Sequence, residues 1–108
     1  MQTSKLNTFM GFVMKTGKYK IGLNAIATLK RALLIIVCDS ASLNTKKEAI
    51  KFSARFHCPA YIAKTPLEEL THRQNAKIMA IYEKKLTLAI IENCGVQLEI
   101  FKQERTDG

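Results

Sequence analysis

Ala32-Leu33-Leu34-Ile35-Ile36-Val37-Cys38 is an unbroken apolar run that stops at Asp39. It is too short to be a helix in its own right, and its branched side chains favour an extended backbone. A strand that is apolar at every position, rather than at alternate ones, has to be covered on both faces. The run therefore predicts a central strand with helical layers above and below it.

Upstream of this strand, Leu6, Phe9, Met10, Val13 and Met14 recur at helical spacing. Thr3 or Ser4 can cap that first helix and Gly17 can stop it. Gly11 interrupts it at a cost of roughly 1 kcal/mol in propensity, which implies either a closely packed neighbour or a suboptimal helix. Residues 18–21 form a short extended piece. Gly22 and Asn24 then open a second helix carrying Ala25, Ile26, Leu29 and Ala32 or Leu33.

Downstream, Asp39-Ser40-Ala41-Ser42 is a turn. Ser42 or Asn44 caps a third helix with Ala49, Ile50, Phe52, Ser53 and Phe56 on its inner face. Cys58 and Pro59 end that helix, and residues 60–63 form a second central strand. Thr65-Pro66-Leu67-Glu68 has the pattern of a capping box and starts a short helix through Leu70. Residues 77–82 are the next strand, and residues 85–94 the next helix, stopped by Gly95. Residues 96–101 alternate with period two, which fits an edge strand and a helical extension equally well. Strands alternating with helices imply one α/β domain, residues 1–101, with its sheet between helical layers. Residues 102–108 form a polar tail.

The chain has 108 residues and a formal net charge of +8. The excess is confined to the first half. Residues 1–55 carry ten basic and two acidic side chains, whereas residues 56–108 carry seven of each. No acidic residue precedes Asp39. A field of that shape favours a polyanion. Cys38, Cys58 and Cys94 are odd in number and lack a CxxC spacing, so they predict buried free thiols in a reducing cytoplasm rather than a disulfide framework or a zinc site. No apolar stretch is long enough to span a bilayer, and none has the form of a signal segment.

Four segments together resemble the kink-turn-binding ribosomal-protein superfamily, particularly its small bacterial members. They are Gly11-Phe12-Val13-Met14-Lys15-Thr16-Gly17-Lys18 with Gly22 shortly after, then residues 33–47, then Cys58-Pro59-Ala60-Tyr61 with Glu69-Leu70, and finally Lys77-Ile78-Met79-Ala80-Ile81. The resemblance covers residues 5–95. It implies a three-layer α/β/α sandwich with a central mixed sheet, and non-enzymatic binding of structured RNA, ribosomal or otherwise bent. It further implies ribosomal proteins as neighbours, no cofactor and no membrane. In the family, RNA is met by a Gly-x-Asn-Glu segment at the start of the second helix, with a lysine shortly after. Here Gly22 and Asn24 are kept, Ala25 replaces the glutamate, and Ala27 or Thr28 replaces the lysine. His72-Arg73-Gln74-Asn75 stands where the family has a glycine-containing turn.

The candidate RNA contacts are accordingly Gly22 and Asn24, with Lys15, Lys18, Lys20, Lys30 and Arg31 converging near them, and Arg73, Gln74, Asn75 and Lys84 completing the surface. Tyr19, between Lys18 and Lys20, either stacks on a base or packs against the sheet edge. Lys84 and Lys85 open a helix, where cations are locally unfavourable and so hint at an anionic partner. Two other functions are compatible with the residues. An assembly module of a ribonucleoprotein would use Met10, Phe12 and Met14 as a contact face. A small enzyme for a phosphate ligand would use Asp39, at the end of a central strand, together with His72 and a hydroxyl.

Overall fold

The computed structural model describes residues 5–93 and 98–100. Helices and strands alternate through them: α1 (Lys5–Thr16), β1 (Tyr19–Ile21), α2 (Leu23–Ala27), β2 (Leu34–Cys38), α3 (Leu43–Phe56), β3 (Ala60–Ala63), α4 (Leu67–Thr71), β4 (Ile78–Ile81), α5 (Lys84–Asn93) and β5 (Leu98–Ile100). The strands form one five-stranded sheet in the order β1-β4-β2-β3-β5. The central strand β2 runs parallel to β3 and antiparallel to β4, and the edge strands β1 and β5 are antiparallel to β4 and β3. The sheet is mixed. α1, α4 and α5 pack together on one face, and α2 and α3 on the other, giving a three-layer α/β/α sandwich.

Every residue of β2 and of β4 is buried, as a strand covered on both faces requires. Leu34, Ile35, Ile36, Met79 and Ile81 meet Leu6, Met10 and Val13 of α1 and Ile26 of α2 in one core. Each such side chain contributes about 1.5–3 kcal/mol by leaving water. Met10 is fully buried, which removes it from any contact face. Met14 is half-buried and Phe12 is exposed.

Local signals explain most element ends. Gly17 stops α1 at φ 72°, its N–H donating to the Val13 carbonyl. Ser42 caps α3, its Oγ accepting the Thr45 N–H at 3.1 Å. His57 ends α3 in the left-handed conformation. A Cβ built on Gly11 would meet nothing within 4 Å, so no neighbour demands that glycine and α1 is simply suboptimal there. Residues 98–100 resolve the ambiguity near the end of the chain: they form an edge strand against β3. Thr3, Ser4, Cys94, Gly95 and the 102–108 tail lie outside the described residues.

Two expectations need correction. α2 ends at Ala27 and carries neither Leu29 nor Ala32 or Leu33. Its free carbonyls are taken early: Thr28 Oγ1 donates to Ala25, and the Arg55 guanidinium, from the last turn of α3, donates to Ala27 and Leu29. No capping box forms at residues 65–68. α4 begins at Leu67, with Pro66 as its cap residue and no side-chain cap bond. Glu68 does not reach back, because its Oε2 accepts the Asn75 N–H at 2.6 Å.

Candidate nucleic-acid interface

The strand register divides the molecule into two ends. The upper end is where β2 finishes at Cys38, beside Ala63, the start of β4 at Ile78, and Ile21, the last residue of β1. The lower end holds Leu34, Ile81 and Tyr19. α2 and α3 both run downward from the upper end. α5 starts at the lower end and rises.

At the upper end the Gly22 N–H donates to the Ile78 carbonyl at 3.0 Å, which sets the start of α2 against the loop that leads into β4. Gly22 has φ 97° and ψ 151° and accepts the Ile26 N–H, so it is the turn residue that launches α2. Asn24 is exposed, and its amide makes no hydrogen bond to any described residue. In the facing loop Arg73, Gln74 and Asn75 are exposed as well. This loop makes its turns without glycine: His72 and Asn75 adopt φ 59° and 62°. Glu68 holds it in place, bonding the Asn75 N–H with one oxygen and lying 3.8 Å from Lys77 Nζ with the other. Arg73 is not free. Its Nη2 donates to the Tyr19 hydroxyl at 2.9 Å, and the guanidinium carbon lies 6.0 Å from the Tyr19 ring centre. Tyr19 is thus a half-buried brace between the loop and the edge strand, the packing alternative for that residue.

Cys38 occupies the same end and is 2% exposed. Burial, the largest single influence, pushes its thiol up. The Ser40 hydroxyl at 3.1 Å, the backbone N–H groups of Leu67 and Ser40, and the charge of Lys77 outweigh it and hold the thiol below its ordinary value. Asp39 and His72 are exposed at this end. A pocket of about 390 Å³ lies elsewhere, at the end of α3, lined by Ile50, Ser53, Ala54, His57, Cys58 and Pro59. It contains neither Asp39 nor His72. Among the described residues no group of three His, Cys, Asp or Glu side chains could hold a metal ion.

The basic residues expected around Gly22 and Asn24 are gathered, but most of them at the other end. The Lys18 carbonyl accepts the Tyr82 N–H, and the Leu33 N–H donates to Ile81. These bonds collect Lys15 and Lys18, at the foot of α1, with Lys84 and Lys85 at the start of α5 and with Lys30 and Arg31 before β2. Lys20 is exposed midway along edge strand β1. From Lys18 to Gly22 the chain climbs about 13 Å, taking 3.3 Å per extended residue. Sequence reasoning placed these cations correctly along the chain and missed the reversal in height, since nothing local encodes it. It also missed Glu68, whose role depends on a bond to a residue seven positions away.

No family model matches the chain, and no curated protein matches it. Among solved structures, a protein of unknown function from Bacillus halodurans C has a TM-score of 0.71 at 12% identity, covering 83% of this chain and 96% of its own. No helix among the described residues is long and apolar enough to cross a membrane. At that identity the likeness shows a shared α/β fold.

Proposed function

We propose that this protein is a non-enzymatic binder of structured RNA, ribosomal or ribosome-associated and cytoplasmic, whose upper end meets a bent or internally looped segment. The observation that carries this reading is that the Gly22 N–H, bonded to Ile78 at the start of β4, brings Asn24 to the same end of the sheet as the exposed 73–75 loop. Asn24, Gln74 and Asn75 present amides, which both donate and accept and so suit base edges. The resemblance to kink-turn-binding proteins points to the same surface, and the net charge of +8 supports a polyanion.

Competition between an RNA containing a kinked internal loop and a DNA duplex of equal length, at matched ionic strength, tests the reading. The expected result is preference for the RNA, weakened by Asn24→Ala. Equal affinity for both would overturn it. Ala25 leaves the start of α2 without a carboxylate acceptor beside Asn24, so Ala25→Glu should raise affinity for a standard kink-turn about tenfold, one base contact being worth about 1–3 kcal/mol.

A further inference from the structure

We infer that the lower end of the molecule is a second RNA surface, one that takes a single-stranded segment. The inference extends the RNA-binding reading, but it rests on different residues and can survive the failure of the upper surface.

Six cations, Lys15, Lys18, Lys30, Arg31, Lys84 and Lys85, are exposed at this end, and none is ion-paired with a described residue. Glu83 is the one carboxylate beside them among the described residues. It is already engaged, its Oε1 accepting the Leu86 N–H at 2.7 Å to cap α5. Asp39, Glu68, Glu69 and Glu92 lie toward the upper end. Six cations against one carboxylate leave a net positive field rather than an evenly mixed solvated face.

Lys84 and Lys85 occupy the first turn of α5, which holds no acidic residue. The positive end of the helix dipole opposes both charges. The N–H groups that Glu83 leaves open and two lysines at one helix start are a combination that a phosphate relieves. Within the isolated protein the Glu83 carboxylate alone offsets it.

Apolar surface adjoins this end, one turn up α1 and α5. Phe12, 47% exposed, is the one exposed side chain among the Phe and Tyr residues described. It lies three residues before Lys15 and hence on the same face of α1. Phe9 braces it edge to face, the ring centres 6.5 Å apart. Leu88, 48% exposed, follows Lys84 by four residues on α5, the helix packed against α1. An open ring one helical turn from Lys15 suits unstacked bases on a phosphate chain, where stacking and charge act together. A plain duplex would use the charges and leave Phe12 idle.

A short oligouridylate, a plain RNA duplex and anionic phospholipid vesicles serve as probes, with a kinked RNA as the control for the upper surface. The wild type should bind the oligouridylate more tightly than the duplex. Exchanging Lys15, Lys18, Lys84 and Lys85 for glutamine should flatten the log–log salt slope by about 3, at roughly 0.7 per lost phosphate contact on a single strand. Phe12→Leu should weaken binding about tenfold and leave the slope unchanged. Both variants should melt cooperatively, and Lys84→Gln with Lys85→Gln should raise Tm, since it removes the helix-start conflict. The inference is overturned by any of four results: no oligouridylate binding, indifference to the lysine exchange, indifference to Phe12→Leu, or a preference for duplex or vesicles. Oligouridylate binding without kinked-RNA preference would remove the upper-surface reading alone.

Discussion

At Gly22 the backbone has φ 97° and ψ 151°, a region open in practice only to glycine, although an added Cβ would meet nothing within 4 Å. Gly22→Ala should therefore lower stability by about 1–3 kcal/mol through backbone strain alone, measured by urea unfolding. Cys58 reports a different residue-scale effect. Burial raises its thiol from an ordinary 9.0 to about 11. The unfolded thiol ionises first, so its contribution to stability is complete below pH 9.0 and is lost as the pH climbs toward 11. Cys58→Ala should have a shallower fall of Tm across that window than the wild type, and parallel curves would exclude the thiol as a cause.

The elements owe their lengths to a mixture of near and distant partners. α1 is long because its apolar face is continuous from Leu6 to Val13, and it carries one avoidable defect. Gly11→Ala places a methyl in open space within a helix, and should raise stability by about 0.5–1 kcal/mol in the same urea measurement. The same substitution thus acts in opposite directions at Gly11 and Gly22, and the backbone dihedral decides the sign. α2 shows the opposite control. Its apolar pattern extends past Ala27, yet the Arg55 guanidinium holds the carbonyls of Ala27 and Leu29 and turns the chain toward β2. At the start of α4 the Glu68 carboxylate serves the 72–77 loop in place of its own helix end, which lets His72 and Asn75 make left-handed turns that a glycine would otherwise make.

On the scale of the whole molecule, charge is sorted by height as well as by position along the chain. The basic first half does not fold into one basic hemisphere. β1 and α2 carry the chain from the lower end to the upper and back, so Lys18 and Arg31 finish below while Gly22 and Asn24 finish above. The upper end mixes Arg73 and Lys77 with Asp39, Glu68 and Glu69, and offers amides. The lower end offers six cations against the single carboxylate of Glu83, with an open phenyl ring nearby. On the proposed reading, one RNA chain passing between the two ends would draw specificity from the amides and affinity from the charge.

The sequence by itself determined the layered architecture. A run that is apolar at every position from 32 to 38 has no soluble arrangement except cover on both faces, and β2 is buried throughout. It also determined the stops and starts that need only neighbours, such as Gly17 in a left-handed turn and Ser42 bonding Thr45. Tertiary structure alone decided the strand order, the early end of α2, the use of Glu68, and the separation of Gly22 and Asn24 from most of the cations. The Glu68 bond spans seven residues, and the others rest on hydrogen bonds between residues far apart in the chain: Gly22 to Ile78, Leu33 to Ile81, Arg55 to Ala27. Periodicity and capping patterns register only what lies within a turn or two, so contacts closed by the folding of the sheet leave no local trace.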